Sequence, residues 1–329
     1  MQPIEYSVNP AFCTYAAKRA ADGEGVYPLG ALLRAPSGDL WAGGMYQLLV
    51  SRDEGASWNE VTSVPGCETS SVKALLSIDG FLLVFLRVDG EVRVVRSPNA
   101  GRDWNVVGSL PDSFCLFAGA ATSAAAIAAA GQDRSGVTVW CSRDAGASWL
   151  ETAHLPTDGT LLSFGISESG DGVIGLIESF ERPAGAENRT ELVPVSCLSG
   201  KVRSSAFVDF TVQSCLGVGG TRWLLGADGG MLFSYDSLSG TLEVQHAFDN
   251  PDLSISGLES YRDKVIAVGE TSDPPPSVGL FLRAGRGWEE HRTDLSDYLS
   301  AVKGVADGVV LMTQTGLYKC FAPLAPEPR

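Results

Sequence analysis

At 329 residues and 44% hydrophobic content, the chain is long enough for one large all-β domain or two ordinary ones, with material for a sizeable core. Its 24 basic and 39 acidic residues leave a formal charge of −15, which opposes phosphate backbones and anionic lipid and argues against nucleic acid or a membrane surface as partner. The seven cysteines (Cys13, Cys67, Cys115, Cys141, Cys197, Cys215 and Cys320) contain no CxxC pair and read as buried, reduced thiols, so neither a metal site nor a cofactor is expected.

In chain order, the first twelve residues have no basic start and no apolar run of the kind a secretory signal needs, so a cytoplasmic location is expected. They hold a short strand-like piece at 4–7 that belongs to no later unit. From residue 29 onward the sequence falls into units of about 45 residues, the period of a propeller blade, solenoid or array. Each unit reads as an inner strand, a Gly/Asp turn, a second strand, a third strand, a turn and an outer strand.

Unit one places strands at 29–33, 39–43, 46–50 and 58–62, and unit two at 72–77, 81–86, 91–96 and 104–108. Unit three takes 115–119, 124–129, 137–141 and 149–153. Its stretch 113–132 is uncharged and about as long as a membrane span, but it is mostly Ala, Gly, Ser and Thr and reads as two small-residue strands joined near Thr122 and Ser123. Unit four runs 160–164, 173–177, 192–197 and 202–207, and units five and six begin near Thr211 and Leu253. Unit seven begins near Tyr298 and runs out before its outer strand. Pairing the N-terminal piece with 317–321 would close the ring and remove two exposed sheet edges. The expectation is therefore an all-β, seven-bladed propeller of four-stranded antiparallel blades spanning 1–329, with residues 1–12 completing the last blade. Gly38-Asp39, Asp79-Gly80, Asp171-Gly172, Gly219-Gly220, Asp263 and Asp307-Gly308 support this count, because they stand where tight hairpins need residues tolerant of positive φ.

The turn into the outer strand carries an octapeptide, Ser-x-Asp-x-Gly-x-Ser-Trp, built on Ser51, Asp53, Gly55 and Trp58 and repeated at Ser142, Asp144, Gly146 and Trp149. A third copy keeps Ser97, Gly101 and Trp104, with Asn99 for the Asp. The Asp can accept backbone N–H bonds, the Gly can take a left-handed conformation, and the Trp, like Trp288 in unit six, can bury its ring between blades. This pattern resembles the Asp box, or BNR repeat, of the sialidase-like propeller superfamily, whose boxes lie away from the active-site end. The resemblance implies a structural role for these residues. Sialidases also carry an Arg-Ile-Pro motif on the first inner strand, but here that stretch is Pro28-Leu29-Gly30-Ala31-Leu32-Leu33, so the arginine cluster for such an activity is missing. Tyr298 stands where the nucleophilic Tyr of that family could fall. Seven blades, and the stretch Gly44-Met45-Tyr46-Gln47-Leu48-Leu49-Val50-Ser51-Arg52-Asp53, are more similar to the photosystem II assembly-factor propellers, which are non-enzymatic scaffolds. That similarity carries over the architecture and not the partner.

In a propeller, the loops entering inner strands and those joining second to third strands share one face around the channel, the default place for a ligand. The candidate ligand-binding residues there are Arg87, Asp133, Arg134, Arg182, Arg189, Asp228, Asp273 and Asp294, with the long loop 178–190 as a natural lid. Asp112, Asp252 and Tyr298 are the catalytic candidates, as acid/base or nucleophile. His154, His246 and His291 fall in different units, which opposes a shared zinc site. The expected function is non-catalytic recognition of a protein, peptide or small molecule by a monomer. The alternative is an enzyme acting on a glycan or small metabolite through the acidic rim and Tyr298.

Overall fold

A computed structural model describes residues 8–10, 12–18, 29–177, 189–262, 264–271, 278–284, 287–293, 295, 297–313 and 316–321. Seven antiparallel sheets follow one another along the chain as blades, with no α-helix among the described residues. Blade 1 holds Leu29–Arg34, Leu40–Gly44, Leu48–Ser51 and Asn59–Glu60. Blade 2 holds Ser71–Ile78, Phe81–Val88, Glu91–Ser97 and Asn105–Pro111. Blade 3 holds Cys115–Ala121, Ala126–Asp133, Gly136–Ser142 and Leu150–Leu155. Blade 4 holds Thr160–Ile166, Asp171–Ile177, Thr190–Ser196 and Ala206–Val208. Blade 5 holds Val212–Gly219, Arg222–Ala227, Met231–Asp236 and Thr241–Ala247, and blade 6 holds Leu253–Tyr261, Lys264–Thr271, Val278–Ala284 and Gly287–Arg292. Blade 7 starts with Leu299–Val305, Gly308–Thr313 and Gly316–Phe321. Each inner strand packs on the next, and that of blade 7 packs on that of blade 1, so the ring is closed.

The blades are read from the second strands outward. A strand pressed between two neighbouring blades has no solvent face, so it is apolar on both sides and shows no alternation. Phe81–Val88 is of this kind, with Leu83, Phe85 and Leu86 fully buried. The Ala-rich stretch of blade 3 obeys the same rule with small side chains. Ala129 packs toward the Leu83 and Phe85 side, while Ala128 and Ala130 pack toward Leu161 and Ile174. Its two strands meet at a single 3-10 turn, Thr122–Ala124, as the small-residue reading expects.

The ring is closed by an N-terminal strand, as expected, but the strand is Phe12–Lys18 and not residues 4–7, which lie outside the described residues. It pairs antiparallel with Gly316–Phe321, Phe12 opposite Phe321 and Lys18 opposite Gly316. This correction has a simple reason: seven residues span the full edge of blade 7, and a four-residue piece would leave part of that edge unpaired. The preceding Val8–Pro10 runs parallel to Gly287–Arg292 as a fifth strand on blade 6, so residues 8–18 serve two blades. The expectation that all thiols are reduced also needs correction. Cys320 is disulfide-bonded, and Cys13 occupies the paired position on the closing strand. Cys67, Cys115, Cys141, Cys197 and Cys215 are free, and burial pushes the Cys197 thiol up to about 12, far from a reactive thiolate.

The three octapeptides fold alike. Gly55, Gly101 and Gly146 take φ of 87°, 83° and 86°, each after a non-glycine residue that is also left-handed. The first Ser hydroxyl donates to the Asp or Asn oxygen and accepts the Gly N–H, at 2.8 Å in all three copies for the latter. Asp53 accepts the Ser57 amide at 2.8 Å and its hydroxyl at 2.5 Å, and these bonds hold its carboxyl near pKa 2. Each turn plugs the groove toward the preceding blade. Gly101 lies against the Trp41 ring of blade 1, where a Cβ would collide, and Gly146 lies against Leu83 and Val94 of blade 2. Trp104 meets Trp41 edge-on at 6.0 Å, and Trp149 meets Phe85 at 5.8 Å, so the rings do lie between blades.

Candidate functional site

These turns and the hairpins between inner and second strands occupy one face of the ring; the loops entering inner strands and those joining second to third strands occupy the other. On this entry face, the end of one blade's second strand repeatedly reaches the start of the next blade's inner strand. Arg87 forms a two-pronged pair with Asp112, Nε to Oδ1 at 2.7 Å and Nη2 to Oδ2 at 2.9 Å, joining blade 2 to the loop entering blade 3. Gln132 of blade 3 donates to Gly159 O at 2.6 Å and accepts Leu161 N–H at 2.8 Å, at the entry of blade 4. At the next junction Thr190 donates to Phe210 O and accepts Val212 N–H, at 2.8 and 3.0 Å. Asp228 accepts the Ser254 hydroxyl of blade 6 at 2.5 Å and the Gln213 amide at 3.2 Å. Glu270 accepts Leu299 N–H of blade 7 at 2.5 Å.

The sequence-derived candidates are thus divided among different tasks. Arg87, Asp112 and Asp228 lie on the entry face, and all three are engaged in holding blades together. The Arg87 guanidinium holds the Asp112 carboxyl below its ordinary range, so Asp112 is a committed anion and a poor proton donor. Asp133 is bonded within its own turn by the Ser135 amide and hydroxyl, both at 2.6 Å, beside exposed Arg134. Arg189 pairs with Asp209 at 2.7 Å and lies over the Phe207 ring. Asp252 sits in an exposed turn whose amide donates to Asn250 Oδ1 at 3.0 Å. Arg182, Asp273, Asp294 and most of the 178–190 loop fall outside the described residues. Asp112, Asp252 and Tyr298 belong to the entries of blades 3, 6 and 7.

Beside these charges, the entry face presents three aromatic side chains to solvent. Phe114 and Tyr298 each stand immediately before an inner strand, those of blades 3 and 7, and are 51% and 44% exposed. Tyr46, 41% exposed, caps blade 1 between its second and third strands with φ of 60°. Such a left-handed position is costly for a bulky residue and is held here by its N–H bond to Ser70 O at 2.7 Å, at the entry of blade 2. These side chains mark the sector running from blade 7 through blades 1 and 2 to blade 3. Within it lies Lys73, the unpaired residue of a bulge in the blade 2 inner strand, whose pKa is lowered by burial and by Arg87. Glu270, also half-buried, has its carboxyl pushed up by burial, with the Asp297 charge adding to the effect.

Phe114 was recoverable from the sequence, since it holds the same register position as Tyr298. Tyr46 was not, because its left-handed backbone has no sequence signature. Gln132 gave no signal as a neutral residue in an uncharged stretch.

No protein-family model matches the chain, and no curated protein does. Solved structures do. A YCF48 protein bound to a D1 peptide superposes with a TM-score of 0.66 at 14% identity over 97% of this chain and 98% of that one. A GH74 xyloglucanase from Xanthomonas campestris matches at 0.62 and 13% identity, covering 94% of this chain and 53% of that one. The WD40 propeller domain of Doa1 matches at 0.60 and 11% identity, covering 94% and 96%. At such identities the similarity is one of fold.

Proposed function

We infer that the chain is a recognition propeller whose entry face, in the sector of blades 7, 1, 2 and 3, binds a protein partner through an extended peptide segment. The observation that carries this reading is the exposure of Phe114, Tyr298 and Tyr46 on one face at blade entries. Large aromatic side chains supply contact area at low entropic cost and dominate the energetics of protein interfaces. The similarity in fold to a propeller with a bound peptide supports the same choice. The fixed blade junctions beneath the aromatics supply a rigid platform, which lowers the cost of ordering on binding. On this reading the octapeptide turns are Asp boxes with a purely structural task, and the protein acts without a cofactor. Among the residues first considered for catalysis, Asp112 is committed to Arg87 and Tyr298 is open to solvent, which favours recognition over catalysis.

The test is a displayed peptide library selected on the intact protein, followed by affinity measurement of the enriched peptides. Tyr298→Ala and Phe114→Ala are each expected to weaken binding by about 30-fold, as hot-spot truncations do. Enriched peptides whose affinity neither substitution changes would place the recognition surface elsewhere.

A further inference from the structure

On the opposite face, a cleft of about 590 Å³ opens between blades 5 and 6. Its origin lies in the missing plug. In blades 1, 2 and 3 the octapeptide of one blade fills the groove toward the blade before it, as Gly101 does over Trp41. In blade 6 the third strand passes to the outer one in a tight hairpin, Ala284 opposite Gly287, with no octapeptide between them, and the cleft lies in the groove toward blade 5. The volume falls in the range of small-molecule sites.

Each wall carries one arginine. Arg222 on the blade 5 side is exposed and stands opposite Asp236, whose carboxyl is lowered mainly by the amides of its own turn and further by this guanidinium; Arg283 on the blade 6 side is half-buried, and among the described residues neither guanidinium makes a hydrogen bond or a salt bridge. Trp223 and Tyr235, next to Arg222 and Asp236 on the same strands, turn their rings the other way and pack against Val173, Leu192 and Val208 of blade 4. Two carboxylates are also present. Asp236 is saturated by its own turn, accepting Leu238 N–H at 2.8 Å, Ser239 N–H at 3.1 Å and the Thr221 hydroxyl at 3.2 Å. Glu243 lies on the exposed outer strand. Beside these two carboxylates the cleft thus carries planar guanidinium forks on both walls and an apolar flank of Val218, Leu224 and Val265.

The geometry points to a second binding site, independent of the entry face, for a small organic anion: a carboxylate or phosphate monoester carried on an apolar or aromatic body and gripped between Arg222 and Arg283. Paired forks suit either oxyanion, and the flank suits the body. The experiment is calorimetric titration of the full chain, at physiological salt, with phenyl phosphate, benzoate and inorganic phosphate. Saturable binding of phenyl phosphate or benzoate, tighter than inorganic phosphate, is expected, and the stronger of the two identifies the oxyanion. Arg222→Gln and Arg283→Gln should each weaken it about tenfold or more, while Tyr298→Ala on the other face should leave it unchanged. Because Arg222 is exposed, its variant keeps the fold and decides the matter even if the Arg283 variant does not. Absence of saturable binding by both organic anions, or an affinity that Arg222→Gln leaves unchanged, overturns the proposal. Neither result bears on peptide recognition by the aromatic sector.

Discussion

At the scale of single residues, the middle octapeptide shows how one turn is built from exchanged chemistry. In the first copy the Ser57 hydroxyl donates to the Asp53 carboxylate, and in the third copy Ser148 donates to Asp144 at 2.6 Å. In the second, Asn99 supplies the donor, its amide giving a 2.7 Å bond to the Asp103 carboxylate, while its oxygen still accepts the Asp103 N–H at 2.9 Å. Polarity is reversed and geometry kept. Asn99→Asp, which would restore the commoner motif letter, is therefore expected to destabilise the protein by about 1–2 kcal/mol, because two carboxylates would then face each other without a shared proton. Asp103→Ser in the same chain should recover the loss, since it recreates the arrangement at Asp53 and Ser57. Denaturant unfolding of the two single variants and the double variant checks this, and additivity of the two changes would contradict it. The penalty should also shrink as pH falls through the carboxylate range, when one member of the pair takes up a proton. None of this exchange is legible from the motif alone, in which Asn99 looks like a simple degradation.

At the scale of elements, the junctions on the entry face show why strand positions were easier to read than site residues. Strands follow from apolar runs and turn residues at a fixed period, and the inner strands begin at Ser71, Cys115, Thr160, Val212, Leu253 and Leu299, within a residue or so of their expected places. Charge in a loop is less informative, because the same Arg or Asp can face a ligand or bind the neighbouring blade, and Arg87, Asp112 and Asp228 do the latter. Gln132 and Glu270 perform one task at equivalent corners, each offering a side-chain oxygen to a backbone N–H of the next inner strand. Only Glu270 carries charge into a half-buried position, and its folded pKa is raised by that burial. A carboxyl raised in the folded state favours folding below its unfolded pKa and loses that advantage as pH rises through the folded value. Glu270→Gln should therefore stabilise the protein near neutral pH, by less than about 1 kcal/mol given solvent screening, with the gain vanishing as the medium is acidified. Thermal unfolding across that pH range is the measurement, and a gain that persists in acid would mean the carboxylate charge is not what matters at this corner.

At the scale of the whole molecule, stability rests on closing the ring. The sequence shows that a strand is missing from blade 7 and that the N-terminus must supply it, but it does not show which N-terminal residues do so, because 4–7 and 12–18 are both strand-like and only the length of the edge chooses between them. The closing pair is fixed twice, by backbone register and by the disulfide of Cys320, a bond that persists in oxidising compartments and is uncommon where thiols are kept reduced. Cys320→Ser is expected to lower stability by about 3–5 kcal/mol, since the cross-link at this position closes a very long loop. Urea unfolding with and without reductant checks this: reductant should bring the parent to the level of the variant and leave the variant unmoved. The same closure bears on how the protein is made. Phe12–Lys18 leaves the ribosome before the strands of blades 1 to 6 and Gly316–Phe321 after them, so the blade that completes the circle cannot form until the other six have been synthesised. Six blades can assemble in order behind it, each on the one before, while the opening segment waits as an unpaired strand with a free sulfhydryl. Any pause in translation ahead of Gly316 prolongs that wait, and chaperones or early oxidation of Cys13 by the wrong partner would act at that moment rather than on the finished protein.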